Sequence, residues 1–347
     1  MKGSWKLRKK YDETEGFLHM RMKYLRDRPL HVPRIGRGLL RLFYLFCLSC
    51  LLLAPPLFLE KAAGDVPKIA FSVENSIFLT DLQGDTPQKV AQGYDPEISP
   101  RGDMVAFTFY TEEGDRMIAV IPLSEGEEPG EMRLFSSIPG KNSYGPRWSP
   151  DGSSLLFNHW VEEQGDWVLG LLTLQDEAFR ILAPEQGGLY SPFWSAGGTS
   201  VFAQDLDSIY QIDVERGVVM GKMPLFSVLG ETIASSAVHF AISPDGSKWL
   251  FDAEIEGTPE WQKLDIPLLS AIFLYTPEDG KARRLTENSI CALHPAWLPG
   301  GEGFIFSGYT PEEAAREDFP FSIFRQSLET SSPELLLSRG DSPSSAR

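Results

Sequence analysis

The chain has 347 residues, of which 42% are hydrophobic and 23% charged, with a net charge of −16. That composition supplies a large globular core, while three cysteines exclude a disulfide scaffold. The acidity argues against a nucleic-acid ligand, whose affinity rests on Lys and Arg neutralising phosphates.

The charge is unevenly spread. Residues 1–41 hold 12 Lys and Arg against 4 Asp and Glu, a balance of +8, whereas 42–347 hold 20 against 44, a balance of −24. Where the sign changes, an apolar run of eighteen residues begins, LFYLFCLSCLLLAPPLFL at 42–59. As a helix it would span about 27 Å at ~1.5 Å per residue, close to the hydrocarbon thickness of a bilayer. A basic flank ahead of such a run keeps the N-terminus in the cytoplasm and exports the chain downstream of it. The expectation is a cytoplasmic tail over 1–41, a single-pass transmembrane signal-anchor over 42–59 in the cytoplasmic membrane, and an extracytoplasmic or periplasmic domain over 60–347. Two alternatives stay open. Pro55-Pro56 would end the helix at signal-peptide length, although Glu60, Lys61 and Pro55 make poor cleavage contexts. A lipoprotein site at Cys50 has Ser49 before it, but Cys47 stands where an aliphatic residue is expected. Cys47 and Cys50 are most simply apolar membrane residues, which leaves Cys291 alone in the exported part.

One phrase then returns five times: YDPEISPRGDMVAF at 94–107, YGPRWSPDGSSLLF at 144–157, YSPFWSAGGTSVFA at 190–203, VHFAISPDGSKWLF at 238–251 and LHPAWLPGGEGFIF at 293–306. The aligned positions Pro100, Pro150, Ala196, Pro244 and Pro299 are 50, 46, 48 and 55 residues apart. A period of this size marks a solenoid, propeller or array. Within each unit, short apolar runs alternate with Gly, Pro, Asp and Ser, the pattern of four strands, and no long 3.6-residue periodicity supports helical repeats. Four strands per unit predict propeller blades. Ser-Pro-Asp-Gly makes the tight turn between the first two strands: Pro presets φ, Asp bonds the neighbouring backbone and Gly takes positive φ. Trp148, Trp194 and Trp297 before that turn, with Phe107, Phe157, Phe251 and Phe306 ending the next strand, are predicted to pack between blades.

KIAFSV, SIFLTDL and PQKVA within 68–91 supply the second to fourth strands of a further blade that lacks an inner strand. The fold expected is therefore an all-β, six-bladed β-propeller of four-stranded blades following a single N-terminal membrane-anchor helix. DSPSSAR at 341–347, after the fourth strand ELLLS, is the candidate for the missing strand and would remove an open edge.

The x-Pro-x-Trp-Ser-Pro-Asp-Gly phrase, closest at 145–152, the apolar strand ending in Phe and the Arg-Leu-Thr at 284–286 resemble the TolB family of WD40-like propeller repeats over nearly all of 66–340. The resemblance implies the fold and a periplasmic setting within the Tol-Pal envelope system. TolB carries a separate α/β domain before its propeller, and here only about six residues separate the apolar segment from the first strand, so no Pal- or TolA-binding residue is carried over. Related repeats form the propeller domains of prolyl-oligopeptidase-like peptidases, which need an α/β-hydrolase domain for which no room is left.

No Gly-x-Ser-x-Gly elbow, His-Glu-x-x-His, phosphate loop or dinucleotide fingerprint is present, and no cofactor is expected. His239 and His294 share one place in successive repeats, matching Asp95, Gly145 and Ser191. Because inner strands surround the central channel, Asp95, Glu97, Arg147, His239 and His294 form a candidate group at its mouth. His and carboxylates there could bind a metal or polar ligand, or simply line a wet channel. An Arg-Gly-Asp tripeptide at 339–341 is explained equally well by a turn into the closing strand.

Three functions fit: a membrane-tethered protein-binding scaffold of an envelope complex, a propeller hydrolase or lyase with a channel-mouth site, and a ligand sensor. An enzyme needs a convergent acid/base set and a sensor needs an output domain that the 41 basic-tail residues are too few to form. The first, non-enzymatic reading is favoured. Its expected interface lies on the second-to-third strand connections, which are acidic in four blades and include Glu112, Glu113, Glu162, Glu163, Glu312 and Glu313. Trp261 and Phe319, in the two longest connections, are expected anchors for a partner with a basic segment.

Overall fold

Short aromatic and β-branched runs punctuated by Gly, Pro and Asp form six four-stranded antiparallel sheets in a computed structural model that describes residues 68–123, 129–316, 321–330 and 332–346. The basic tail, the apolar segment 42–59 and Phe319 lie outside the described residues. Among the described residues no helix is long and apolar enough to cross a membrane.

Each sheet is one blade, and the innermost strands are Asp341–Ser345, Tyr94–Ile98, Ser143–Trp148, Tyr190–Trp194, Phe240–Ile242 and Cys291–Trp297 for blades one to six. Blade one closes the ring as the repeat arithmetic predicts. Its strands Lys68–Val73, Ser76–Asp81 and Gln88–Gln92 come from the start of the repeat region, and the fourth comes from the chain's other end. Ile69 pairs with Ser345 and Ala70 with Ser344, the Ala346 N–H donates to the Lys68 carbonyl at 3.1 Å, and the Ser344 hydroxyl receives the Ile98 N–H of blade two at 3.0 Å.

The repeated aromatics hold neighbouring blades together. The indole of Trp148 donates to the Glu97 carbonyl at 2.8 Å, that of Trp194 to Arg147 at 3.0 Å and that of Trp297 to Ala241 at 2.9 Å, each reaching the inner strand of the preceding blade. Phe107, Phe157, Phe251 and Phe306 are fully buried. An indole that loses neither apolar burial nor its N–H partner suits a site with both demands. The Ser-Pro-Asp-Gly turn is fixed as expected: in blade three the Ser149 hydroxyl donates to Asp151 at 2.6 Å, the Gly152 N–H donates to the Ser149 carbonyl at 2.9 Å and Gly152 sits at φ +73°. The same Ser–Asp bond recurs between Ser243 and Asp245 at 2.5 Å.

Ring closure by the strand Asp341–Ser345 sets a test. Deleting 341–347 leaves Lys68–Val73 as a bare sheet edge facing the channel, so the melting temperature should fall by more than ~5 °C, the response to a loss of a few kcal/mol in a domain of this size, with aggregation on heating. A frayed tail would leave the melting curve unchanged.

Candidate functional site

The channel mouth is built from a small irregularity that recurs around the ring. In five blades the inner strand slips register against the second strand, and one residue there takes positive φ: Ser342 (48°), Asp95 (52°), Gly145 (66°), Ser191 (53°) and His294 (53°). Such bulges re-aim a side chain out of the sheet, and Asp and His tolerate the left-handed region better than most residues. In blade five the inner strand is only three residues long, and His239 sits immediately before it. A Cβ at Gly145 would meet nothing within 4 Å, because the space beside it is the channel itself.

Leaving the sheet strands backbone groups without a ladder partner, and a second ring supplies them. The residue after the phenylalanine of each second strand, or after Ala203 at that place in blade four, is polar and buried: Ser72, Thr108, Asn158, Gln204, Asp252 and Ser307 are all at most 5% exposed. The Thr108 hydroxyl receives the Gly145 N–H at 3.0 Å, Asn158 donates to the Leu189 carbonyl at 3.0 Å, Gln204 to Ser235 at 2.9 Å, and Ser307 receives the Ser342 N–H at 2.9 Å. Each bond crosses to the next blade.

Asp252 is the charged member of that ring. Its carboxylate receives the backbone N–H of His239 at 2.6 Å and of His294 at 2.8 Å, and the His239 Nδ1 lies 3.1 Å away. The His294 Nδ1 is 2.9 Å from Asp341 on the closing strand, and the two imidazoles meet edge to face with centroids 4.3 Å apart. A carboxylate only accepts, so Nδ1 carries the proton in each histidine and Nε2 is left for the channel. Burial works to raise the Asp252 pKa, but His239 and His294 carry it below the ordinary range. The histidines are driven apart. Burial pushes His239 down, and its charged neighbours His294 and Arg147 add to that against Asp252. Burial also opposes protonation of His294, but the hydrogen bond and charge of Asp341, with Asp252 and Asp95 adding, carry its pKa above the usual value.

One cavity of about 180 Å³ is lined by all five channel-mouth candidates, Asp95, Glu97, Arg147, His239 and His294. Arg147 and Glu97, equivalent positions of blades two and three, pair at 2.8 Å. Asp95 receives the Thr108 hydroxyl at 3.0 Å. Among the described residues no group of three or more His, Cys, Asp or Glu is arranged to hold a metal ion. Asp252 and Asp341, which repeat alignment alone does not single out, are the partners that orient the histidines.

The rim candidates fare differently. Glu112, Glu113, Glu162, Glu163 and Glu312 are exposed. Glu313 is half-buried and engaged: it completes a capping box with Thr310 at the start of the short helix Pro311–Ala314 and receives the Ser322 hydroxyl at 3.0 Å. Trp261 corrects its expectation as a surface anchor. It is fully buried, because the helix Pro259–Gln262 folds the indole back under its own loop against Leu269 and Cys291, where Nε1 donates to the Asn288 carbonyl at 2.6 Å.

The histidine pair and Trp261 each carry a test. In histidine-resolved NMR titrations His294 should titrate above, and His239 below, the ordinary value of about 6.5, and Asp341→Asn should bring His294 down. By linkage, the His294–Asp341 couple stabilises the fold below that ordinary value and loses its contribution as pH rises through the raised His294 pKa. Trp261→Ala should cost about 3–5 kcal/mol of stability, read as a lower melting temperature, rather than act at a binding surface.

No protein-family model matches the chain, and no curated protein matches its sequence. Solved structures do. TolB from Acinetobacter baumannii superposes with a TM-score of 0.58 at 18% identity, covering 82% of this chain and 67% of that one. A protein assigned as TolB from Agrobacterium tumefaciens gives 0.53 at 16% identity, covering 79% and 90%. At such identities the likeness is one of fold, and it agrees with the six closed four-stranded sheets described above: the chain folds as a TolB-like six-bladed β-propeller.

Proposed function

We propose that the protein is a non-enzymatic docking propeller, held outside the cytoplasm by its N-terminal segment, whose acidic face receives a basic segment of a partner protein within an envelope assembly. The observation that carries this reading is the coincidence of two features on one face. In an antiparallel blade the start of the inner strand lies beside the end of the second strand, and Tyr94 accordingly packs edge-on against Tyr110 at 5.0 Å. The acidic second-to-third connections therefore surround the mouth into which Asp95, His239 and His294 project. Exposed carboxylates at Glu112, Glu113, Glu162, Glu163, Glu254, Glu256 and Glu312 form a predominantly acidic rim around a concave centre, and Lys141 on that rim is paired with Asp115 at 2.8 Å. Such a field steers an oppositely charged partner and raises its association rate. The basic residues of 1–41 and the apolar run 42–59 support the tethered, extracytoplasmic placement.

Two measurements test the reading. Protease added to spheroplasts should digest the propeller and spare the tail; digestion of the tail alone would reverse the orientation. A partner captured by cross-linking in the native membrane should bind more weakly as salt rises, and Glu112→Lys with Glu162→Lys should lower its association rate severalfold with little change in dissociation. Docking that ignores salt, or contacts confined to the Ser-Pro-Asp-Gly face, would sink it.

A further inference from the structure

Six equivalent positions meet around the channel mouth: Ser342, Asp95, Gly145, Ser191, His239 and His294 in blade order. Three are small and three carry chemistry. With six blades, positions three apart face each other, so Asp95 of blade two lies across the axis from His239 of blade five. His294, in blade six, faces the glycine of blade three.

The charges behind this ring are lopsided. Glu97 and Arg147 cancel each other at 2.8 Å. Asp252 and Asp341 stand behind the histidines at 3.1 and 2.9 Å, and Asp95 adds a third carboxylate, with one oxygen taken by Thr108. Against these three anions only His294 can add a positive charge, since His239 is held neutral by burial and by its neighbours His294 and Arg147. The site therefore disfavours an anion. His239, with Nδ1–H committed to Asp252, presents Nε2 as an acceptor, and its side chain is 31% exposed. The volume, about 180 Å³, falls below the ~300–1,000 Å³ of sites for drug-sized ligands. It suits one side chain and not an extended oligomer.

We propose that the channel mouth is a cation site that takes a single guanidinium or ammonium side chain of the docked partner, with Asp95 as counter-ion and the Nε2 of His239 as acceptor. This rests on the docking reading for the source of the side chain, while the site itself needs no partner to be assayed. A bound cation and the proton on His294 compete, because His294 is faced by Asp341 from blade one, Asp252 from blade five, Asp95 from blade two and the His239 ring, and a second positive charge among them is repelled.

The test is a titration of the full chain with n-butylguanidinium, followed by the histidine side-chain NMR signals, with butyrate as the control. Saturable shifts confined to His239 and His294 are expected, together with a downward move of the His294 titration midpoint at saturation. Asp95→Asn keeps a residue that tolerates the left-handed backbone and still accepts from Thr108, so the fold should persist while binding weakens roughly tenfold or more, the worth of a hydrogen bond to a charged group. Glu112→Lys with Glu162→Lys alters the rim alone and should leave the affinity for the probe within about twofold, the loss expected from a screened distant charge. Butyrate replacing butylguanidinium, Asp95→Asn binding as tightly as the parent, or a rim variant that loses as much affinity as Asp95→Asn would each overturn the proposal. Failure of the docking reading shows instead in the salt and rim dependence of the captured partner, with probe binding intact.

Discussion

In five of the six blades the inner strand slips register against its sheet partner at the channel mouth, and the backbone groups freed there must be paired for the ring to keep its centre. An unpaired buried peptide group costs ~1–3 kcal/mol, so five blades with that defect would lose a large part of a domain's net stability. The buried polar residue of each second strand answers the problem. Thr108, Asn158, Gln204, Asp252 and Ser307 each reach into the following blade, and Ser72 bonds the Asp341 carbonyl on the closing strand of its own blade at 3.1 Å. Apolar burial supplies the bulk of blade-to-blade adhesion, but it is non-directional. The polar ring, with the three indole bonds, fixes the angle at which each blade meets the next.

The fold was legible because its signals are local and repeated. Turn chemistry at Ser149–Gly152, alternating apolar strands and a period near 48 residues each act over short stretches, and five repetitions average out the irregularities of any one. Even the closing strand could be inferred, since Lys68–Val73 began a blade one strand short. The site was legible only in part. Aligning the repeats put Asp95, His239 and His294 in register, but the phrases end at Phe107, Phe157, Phe251 and Phe306, one residue short of the buried polar ring. A polar residue inside a strand such as MVAFTFY passes for ordinary alternation, and only its 0% exposure at Thr108 shows otherwise. Asp341 was hidden for another reason: its tie to His294 depends on ring closure, which joins positions 47 apart along the chain but in blades six and one. At Trp261 residue type says nothing about whether a loop folds back on itself, and here a proline-initiated turn of helix does so.

A repeat protein makes function by breaking its own symmetry. Blades one, three and four carry Ser342, Gly145 and Ser191 at the channel-mouth position, residues that satisfy the backbone and add little else. Blades five and six carry histidines at the same place, and blade five alone converts the polar ring to a carboxylate. One Asp252 then serves two blades, accepting from the His239 backbone and ring and from the His294 backbone. An Asn or Gln there, as in blades three and four, has one acceptor oxygen where Asp252 uses two, and brings no charge to the adjacent imidazoles.

The second anchor, Asp341, comes from the strand that closes the ring, and this couples assembly to chemistry. Ser342 is held by Ser307 through its N–H at 2.9 Å, and Asp341 holds His294 at the same distance, so the closing strand is clasped to blade six at the point where the imidazole is oriented. An unclosed chain would keep His239 on Asp252, yet His294 would lose the hydrogen bond and charge of the carboxylate that offset its burial. Closure therefore does more than hide a sheet edge: it brings the last carboxylate to the mouth and orients the His294 ring there.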